Sequence, residues 1–552
     1  MSRYKKNIIH NRMYDYLLIC IFAFILLISR LFWIQIKNHH NLNIQVLRQR
    51  GKEFDLYPKR GIIYDRNLIP LTNRQRVNVL FALKNNIIED QSLKHTLLNN
   101  TSLDYEEFEK RLKDDEKIVE IPLHTIKPII SNWSNILIHQ KVIRYDENSI
   151  LSHVIGYINK SENKGEFGIE KVYDDILKNI EREDILFIEL DEREEVVLGS
   201  SINVDSKGLT MEPSGVKLTI DYHIQKIVEN ILDKNEVNGA VIVAEVKSGE
   251  IRALASRPNF NQDDVDKYLN RDDMALYNKG IQVAYPPGSL FKLVVLAAAL
   301  EHNLEIQDKE FYCNGYERVG NVIINCNDRE GHGSIDIKEA FSKSCNSVFI
   351  QLGKMLGGER IIQMAKKMGF GEKVHIGLLE EVKGNLPEGD ELHGAAIGNI
   401  SIGQGSIETT PLQITNMMAI VANGGIKTGL TIVDGITNYD GHMIKKNKRI
   451  IPQKVLSEAN SLILKECLID VVDNGTAKNM SLKDLGGAGG KTGSAQAVLN
   501  RKETIHAWFS GFYPKEEPKY VITVIIEEGY SGSKTAAPIF ENIVKEIEKI
   551  NR

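Results

Sequence analysis

Ser289 and Lys292 stand three residues apart at the start of an apolar run, residues 293–300, which predicts a helix with both side chains on one face. A serine hydroxyl is a weak nucleophile until a base removes its proton. A lysine that is desolvated or held beside another cation has a lowered pKa and can be that base. The pair therefore predicts a serine nucleophile activated by a lysine, although this spacing alone also occurs by chance in a long chain.

Two further motifs follow in the order that this chemistry needs. Ser344 and Asn346 flank a cysteine within an apolar segment, and Lys491, Thr492 and Gly493 follow a glycine-rich stretch. Each motif alone is more often structural than functional. Ser-x-x-Lys, Ser-x-Asn and Lys-Thr-Gly in this order form the motif set of penicillin-binding proteins and serine β-lactamases.

With these motifs in place, the chain resembles the class B penicillin-binding proteins, which are membrane-anchored peptidoglycan transpeptidases. The resemblance extends over nearly the whole length, because further segments are similar to stretches of that family. They are residues 60–67, 165–170, 218–221, 403–405, 409–413 and 507–511. Leu68 departs from the pattern, since the family usually has glycine there.

The resemblance implies a role for each motif residue. Ser289 would be the acylated nucleophile and Lys292 its general base. The backbone N–H groups of Ser289 and Ser494 would form the oxyanion hole. The other roles implied are proton relay and substrate binding (Ser344, Asn346), positive potential (Lys491), binding of the substrate carboxylate (Thr492) and close approach of the peptide backbone (Gly493).

The implied function is cross-linking of peptidoglycan stem peptides through an acyl-serine intermediate, with trapping of the same serine by β-lactams. No cofactor is implied for this catalysis. Two alternatives remain open: a D,D-carboxypeptidase, and a sensor or scaffold that β-lactams acylate. A β-lactamase is disfavoured because the acidic stretch 388–392 does not match the Glu-x-x-Leu-Asn element of class A enzymes. The resemblance also implies a membrane partner, a glycan polymerase of the SEDS type.

Four metal-ligating residue types lie close together before the Ser-x-Asn motif. Cys313, Cys326, Asp328 and His332 offer thiolate, carboxylate and imidazole, which are the ligands of tetrahedral zinc. We expect a structural zinc site here. The alternatives are a disulfide between Cys313 and Cys326 and a pair of buried thiols. Cys345 is expected to pack into the core.

The N-terminal segment predicts a membrane anchor. Residues 15–36 approach the roughly 20 apolar residues that cross a bilayer, with Arg30 able to snorkel and Trp33 placed at the interface. The segment before it carries Arg3, Lys5 and Lys6 among its basic residues, so the positive-inside bias predicts a cytoplasmic tail at 1–14. The catalytic region would then be extracytoplasmic in a bacterial cell membrane.

Beyond the anchor the sequence predicts two domains and a mixed α+β, α/β fold. Residues 37–215 predict an elongated α+β pedestal similar to a dimerisation domain, with a strand at 77–81 and helices at 105–112 and 169–177. Residues 216–552 predict the transpeptidase domain. Its strand 216–220, helix 222–232, hairpin 239–255 and closing strands and helix at 506–550 suggest one sheet flanked by helices.

Composition excludes other classes of protein. The 552 residues suffice for several folded units, and the net charge of -5 with 69 basic and 74 acidic residues gives no basic footprint for nucleic acid. Five cysteines are too few and too scattered for a small disulfide-stabilised scaffold.

Overall fold

The computed structural model describes residues 2–39, 42, 51–126, 136–146, 148–179, 183–190, 196–204, 212–499 and 502–551. Parts of the predicted pedestal, such as 43–50 and 205–211, lie outside these residues. The chain divides into two compact units whose segments alternate along the sequence. The first unit comprises Met1–Pro58, Arg76–Ile143 and Glu181–Gly208, and the second comprises Lys59–Gln75, Arg144–Ile180 and Leu209–Arg552.

The helices are numbered in chain order. They are α1 (Ser2–Phe32), α2 (Lys84–Glu89), α3 (Gln91–Asn100), α4 (Tyr105–Lys113), α5 (Ser152–Ile155), α6 (Gly168–Val172), α7 (Asp174–Leu177), α8 (Tyr222–Lys234), α9 (Lys292–Glu301), α10 (Ile337–Ser342), α11 (Asn346–Leu356), α12 (Gly358–Lys367), α13 (Ala396–Ser401), α14 (Pro411–Ala422), α15 (Glu458–Asp473) and α16 (Ala537–Asn551).

The strands are numbered in the same way. They are β1 (Gly51–Asp55), β2 (Ile63–Tyr64), β3 (Gln75–Leu83), β4 (Ile118–Leu123), β5 (Leu137–Ile143), β6 (Ile158–Asn159), β7 (Lys164–Gly165), β8 (Glu183–Leu190), β9 (Val196–Val204), β10 (Gly215–Leu218), β11 (Gly239–Glu245), β12 (Ile251–Arg257), β13 (Phe311–Cys313), β14 (Tyr316–Val319), β15 (Val322–Asn325), β16 (Gly333–Ile335), β17 (Ile426–Lys427), β18 (Val433–Thr437), β19 (Met443–Lys446), β20 (Gln453–Lys454), β21 (Gly489–Leu499), β22 (Lys502–Tyr513) and β23 (Tyr520–Ile526). The predicted mixture of helices and strands is confirmed.

Helix α1 and the π-helical turn Trp33–Lys37 contain the predicted anchor. The segment Arg12–Lys37 includes an 18-residue stretch with a mean hydropathy of 2.7, and it is long and apolar enough to cross a bilayer. The Arg30 guanidinium lies 5.1 Å from the centroid of the Trp33 ring. A cation over an aromatic face at the end of an apolar helix is typical of the membrane–water interface.

The first unit contains two three-stranded sheets, with strand orders β1-β8-β9 and β4-β3-β5. One hydrophobic cluster forms where α3 and α4 pack on the second sheet, around Leu97, Phe108 and Ile121. The capping carboxylate of Asp104 accepts a hydrogen bond from the Glu107 N–H and fixes the start of α4. The predicted strand at 77–81 and the predicted helix at 105–112 are therefore confirmed.

The second unit is built around a five-stranded antiparallel sheet with strand order β12-β11-β23-β22-β21. Its strands β11, β12 and β23 are almost entirely buried, because helices pack against the sheet. Asp221 caps α8 by accepting from the N–H groups of His223 and Ile224, as the sequence predicts. The long strand β21, which carries Lys491, Thr492 and Gly493, lies at the edge of this sheet.

A buried ion cluster joins two of the sequence segments singled out above. The Glu170 carboxylate accepts from Arg60 Nε and from Arg144 Nε, each at 2.6 Å, and Tyr145 donates to it at 3.0 Å. Arg60 also pairs with Asp174 at 2.7 Å. Burial alone would raise the pKa of Glu170, but the two guanidinium groups outweigh it and lower that pKa. The segments 60–67 and 165–170 are thus joined by the buried ion pair between Arg60 and Glu170.

Candidate active site

Ser289 lies on a 3₁₀ turn, Gly288–Phe291, that leads directly into α9. The Ser289 side chain is half-buried, whereas the following helix is apolar and buried along nearly its whole length. The Gly288 N–H donates to the Gly403 carbonyl at 2.9 Å, which ties the turn to another of the segments identified in the sequence. A buried helix therefore holds an accessible serine in a fixed place.

Lys292 brings two of the three motifs together. Its Nζ donates to the Ser344 carbonyl at 2.6 Å, to Ser344 Oγ at 3.2 Å and to Asn346 Oδ1 at 2.8 Å. These are the three donor positions of an ammonium group. Within the described part of the chain this side chain is the common partner of Ser-x-x-Lys and Ser-x-Asn.

The backbone at Ser344 adopts a left-handed conformation with a φ of 59°. Such a conformation costs an L-residue about 1–2 kcal/mol, and strained residues of this kind cluster at functional sites. The turn between α10 and α11 holds it, since the N–H groups of Ser344 and Cys345 donate to Phe341 and Ala340. The conformation presents both the carbonyl and the hydroxyl of Ser344 to the Lys292 amine.

Burial is the main cause of the electrostatic state of Lys292. Desolvation lowers its pKa to about 8, and no carboxylate pairs with its amine among the described residues. The ring of Phe349 lies 5.6 Å from Nζ and forms part of the apolar surroundings. With this pKa about one amine in ten is neutral at pH 7, far more than for an ordinary lysine, and a neutral amine can accept a proton.

Strand β21 carries the third motif and borders the serine turn. A Cβ on Gly493 would lie 3.2 Å from the Pro287 carbonyl and 3.3 Å from Leu290 Cγ, so a glycine permits the close approach of strand and turn. On the neighbouring strand, Trp508 Nε1 donates to the Pro286 carbonyl at 3.1 Å. The described part of the chain supplies no strand on the outer side of β21.

Lys491 is the second buried amine of the site. Its Nζ donates to the Thr492 carbonyl at 3.1 Å and lies 5.6 Å from the centroid of the Phe341 ring. Burial, and then the charge of Lys292, hold its pKa well below the ordinary value. Two amines therefore share one desolvated region, and the charge of Lys292 lowers the tendency of Lys491 to be protonated.

One residue that the sequence did not single out reaches this site. Thr476 Oγ1 lies 2.7 Å from Thr492 Oγ1, so the two hydroxyls form a hydrogen bond. Thr476 lies in the turn after α15, far from the motifs in sequence, and a threonine after a glycine is too common a pattern to indicate a function. Its place follows only from the fold.

The predicted metal ligands are gathered only in part. Potential ligand atoms of Cys313, Cys326, His332 and Cys345 all lie within 4.8 Å of one another. Asp328 is exposed and outside this group, and its carboxylate accepts from the N–H of Glu330 instead. Cys345 is fully buried, as expected, and at the N-cap of α11 its Sγ lies 3.7 Å from Cys326 Sγ, so Cys345 and not Asp328 completes the group. All five cysteines are free, so the alternative disulfide between Cys313 and Cys326 is absent.

Comparison with protein families gives two matches. A profile described as the penicillin binding protein transpeptidase domain matches residues 239–545, which is more than half of the chain. A second profile, the penicillin-binding protein dimerisation domain, matches residues 55–210. The first match includes every motif residue described above.

The alignments with known relatives cover most of this chain and most of each relative. The chain is 29% identical to Stage V sporulation protein D of Bacillus subtilis, over 98% of this chain and 85% of that protein. It is 25% identical to Peptidoglycan D,D-transpeptidase MrdA of Acinetobacter baumannii, over 97% of this chain and 88% of that protein. Among solved structures, Penicillin-Binding Protein PBP2 from Helicobacter pylori has a TM-score of 0.68 at 22% identity and covers 90% of this chain and 99% of that one. A second structure shows that PBP2 in complex with MreC, with a TM-score of 0.65.

Proposed function

This chain belongs to the class B penicillin-binding proteins, and we propose that it cross-links peptidoglycan as a D,D-transpeptidase with Ser289 as its nucleophile. The single observation that carries the assignment is the buried Lys292 amine, bonded at once to Ser344 and Asn346 and placed one helical turn after Ser289. Desolvation is one of the ways in which a lysine is activated as a base for a neighbouring serine.

The reaction would proceed in two acyl transfers. Ser289 Oγ attacks the carbonyl carbon of the penultimate D-Ala, its proton passes to Lys292 Nζ, and the terminal D-Ala leaves as an amine that takes up a proton. An amine of a second stem peptide then attacks the ester carbonyl, loses a proton and displaces Ser289 Oγ, which is reprotonated. Ser344 Oγ lies 3.2 Å from Lys292 Nζ, so its hydroxyl can relay a proton from Lys292 to the leaving amine.

The strand β21 would hold the donor peptide. A strand at the edge of a sheet offers unpaired N–H and C=O groups to an extended peptide, and the peptide thereby adds a strand to the sheet. The backbone N–H groups of Ser289 and Ser494 would stabilise the oxyanion of each tetrahedral intermediate. The contact of Gly493 with the serine turn supports this placement.

Lys491 and Thr492 would bind the C-terminal carboxylate of the donor. The free site holds two buried amines and no carboxylate partner for either among the described residues. A substrate carboxylate would bring the missing negative charge and would raise the pKa of Lys491 on binding. Acyl donors with a free carboxylate, such as D-Ala-D-Ala stems and β-lactams, fit this requirement.

The test is the intact mass of the full chain in detergent after exposure to benzylpenicillin. We expect a stable adduct of one drug molecule, absent from Ser289→Ala and strongly slowed in Lys292→Ala. Rapid return to the unmodified mass would favour a hydrolytic enzyme. A stable adduct without cross-linking of stem peptides in membranes would favour the sensor or the carboxypeptidase instead.

We further propose that the cluster of Cys313, Cys326, His332 and Cys345 binds a structural zinc ion. Tetrahedral zinc with sulfur ligands at about 2.3 Å places neighbouring ligands roughly 3.8 Å apart. In the structure Cys326 Sγ lies 3.7 Å from Cys345 Sγ and 3.7 Å from His332 Nδ1. The three sulfurs are buried, and four ligands of zinc type complete a closed structural site.

Metal analysis of the full chain, purified without chelator, would test this site. We expect about one zinc per chain, a strong loss in Cys345→Ser, and unchanged zinc in two controls, Asp328→Asn and the buried but remote Cys467→Ser. Zinc that is absent from the wild-type chain, or that depends on Asp328, would contradict the proposed ligand set.

The membrane assignment is a single-pass anchor through α1, with the N-terminus in the cytoplasm and the catalytic unit outside. The apolar segment Arg12–Lys37 and the basic residues before it support this orientation. An N-terminal tag that is digested in intact spheroplasts would contradict it.

A glycan polymerase of the SEDS type is the proposed partner, contacted through the anchor and the pedestal. Replacing residues 1–37 by an unrelated spanning helix should reduce co-purification of such a polymerase while β-lactam binding is retained. Unchanged co-purification would exclude the anchor as a contact.

A further inference from the structure

The turn that follows α15 is fixed by hydrogen bonds to the end of its own helix. Asn474 and Gly475 both donate their N–H groups to the Asp470 carbonyl at 2.9 Å, and Ala477 donates to the Val471 carbonyl at 3.0 Å. A turn closed in this way has little backbone freedom. Thr476, in the middle of it, is therefore held in one place.

The same turn is also joined to α10, the helix that precedes Ser344. The Thr476 N–H donates to the Ser342 carbonyl at 3.2 Å, and Ser342 Oγ donates to the Asp470 carbonyl at 3.2 Å. A Cβ on Gly475 would lie 2.5 Å from the Ser342 carbonyl oxygen, so only glycine permits this approach. The turn thus takes its position from the element that leads to the Ser-x-Asn motif.

From this position Thr476 contacts the Lys-Thr-Gly motif. Its hydroxyl lies 2.7 Å from the hydroxyl of Thr492, a residue that is 7% exposed. Each hydroxyl has one proton to donate. When the Thr492 proton points at a substrate carboxylate, the Thr492 oxygen can only accept from Thr476, and this bond then fixes the direction of the Thr492 proton.

We propose that Thr476 is a positioning residue that orients the Thr492 hydroxyl towards the carboxylate of the acyl donor. Thr476 links β21, the strand that binds the donor, to α10, the helix that leads to the Ser-x-Asn motif. Because the oriented Thr492 proton needs a negatively charged acceptor, the enzyme selects donors with a free carboxylate. The inference rests on the proposed function, in which Thr492 binds that carboxylate.

The experiment compares acylation of the full chain by benzylpenicillin and by benzylpenicillin methyl ester, which lacks the negative charge. In Thr476→Val we expect the second-order rate constant for benzylpenicillin to fall about tenfold, as for loss of one hydrogen bond at a charged ligand. The rate with the methyl ester should change by less than about twofold, and Thr476→Ser should restore the wild-type rate with benzylpenicillin, because it keeps the hydroxyl.

A double-mutant cycle with Thr492→Val completes the test. In the Thr492→Val background we expect Thr476→Val to have almost no further effect, since its partner hydroxyl is already gone. Equal losses with both compounds, or losses that multiply in the double variant, would overturn the inference in favour of a structural role. General damage to the fold gives those same two results, so it cannot imitate the expected one.

The proposed function fails separately. A wild-type chain that benzylpenicillin does not acylate at Ser289 would overturn both proposals. A wild-type chain that is acylated, with Thr476→Val equally fast, would overturn this inference alone.

Discussion

Two buried clusters of charged side chains in the second unit differ in how their charges are balanced. In the Arg60–Glu170–Arg144 cluster each guanidinium contacts a carboxylate at 2.6 Å, and the pKa of Glu170 is lowered. In the candidate active site Lys292 and Lys491 are equally buried, but their hydrogen-bond partners are neutral oxygens and both pKa values are lowered. The first cluster keeps its charges at every physiological pH, whereas the second is prepared to exchange protons.

The difference separates a cluster that stabilises the fold from one that performs chemistry. A buried ion pair with good geometry is destabilised strongly when one partner is removed. A buried amine without a counterion costs folding free energy while it remains, about 3 kcal/mol at neutral pH for a lysine whose pKa falls to about 8. Such a cost is typical of functional sites.

Replacing Lys292 by Met should give the largest effect on activity. We expect acylation by benzylpenicillin to fall by about 10²–10⁴-fold, the usual contribution of a general base. The unfolding free energy should rise by about 1–2 kcal/mol, less than the full cost of the buried amine, because Ser344 and Asn346 lose a donor. Mass spectrometry and urea denaturation measure the two quantities, with Ser289→Ala as the inactive control. A large loss of stability would remove the distinction between the clusters.

Replacing Glu170 by Gln should have the opposite profile. Two buried guanidinium groups would lose their shared carboxylate, and we expect the unfolding free energy to fall by about 3–5 kcal/mol. Asp174→Asn is the matched control, because Asp174 is partly exposed and its loss should cost about 1 kcal/mol. Chemical denaturation at pH 7 measures both. Equal stability of Glu170→Gln and wild type would show that this cluster does not hold the fold.

The two clusters should also respond to pH in different ranges: activity should depend on Lys292 below about pH 8, and stability should depend on Glu170 only in acid. Acylation requires neutral Lys292, so its rate should fall roughly tenfold for each pH unit below 8 and level off above it. Glu170 has a lowered pKa in the folded chain, so its stabilisation is complete above its ordinary value of 4.5 and is lost only as the pH falls through the lower, folded-state pKa.

Stopped-flow acylation and thermal unfolding, both recorded between pH 4 and 10, would measure these profiles. An acylation rate that is flat between pH 6 and 9 would contradict the assignment of Lys292 as the base. Stability that is already lost between pH 6 and 5 through Glu170 would contradict its lowered pKa.

The smallest expected effect is proton uptake when a carboxylate binds. Because Lys491 has a lowered pKa without a counterion, binding of benzylpenicillin to Ser289→Ala should raise that pKa and be accompanied by proton uptake. Calorimetry in two buffers with different ionisation enthalpies measures this uptake. The methyl ester is the control and should cause little uptake. Identical enthalpies in both buffers for benzylpenicillin would contradict the role of Lys491.

Much of the candidate site could be predicted from the sequence because its parts are short and local. The spacing of Ser289 and Lys292 places them one turn apart, and the edge strand carries Lys491 with its two neighbours. That Ser344 and Asn346 belong to the same site was implied only by the family resemblance, and their hydrogen bonds to Lys292 come from the fold. The buried helix after the serine was likewise visible in the apolar run.

What the sequence could not provide depends on contacts between distant segments. Asp328 follows Cys326 closely and is a good ligand type, but its chain direction turns it to solvent, whereas Cys345 reaches the cluster from the start of α11. Thr476 reaches Thr492 only because α15 ends beside α10. The alternation of segments between the two units has no local signal either, and the predicted linear boundaries at 36/37 and 215/216 stay predictions.

The alternation of segments between the two units affects how recombination between related genes would alter the protein. Arg60 and Glu170 belong to one buried cluster, yet residues 76–143 of the other unit stand between them in the gene. A recombination event with one breakpoint in that interval would bring the arginine from one parent and the glutamate from another. A mosaic gene should therefore encode a fully stable protein only when both parents encode the same charge pairing, and a breakpoint beyond residue 208 would leave both this cluster and the first unit intact.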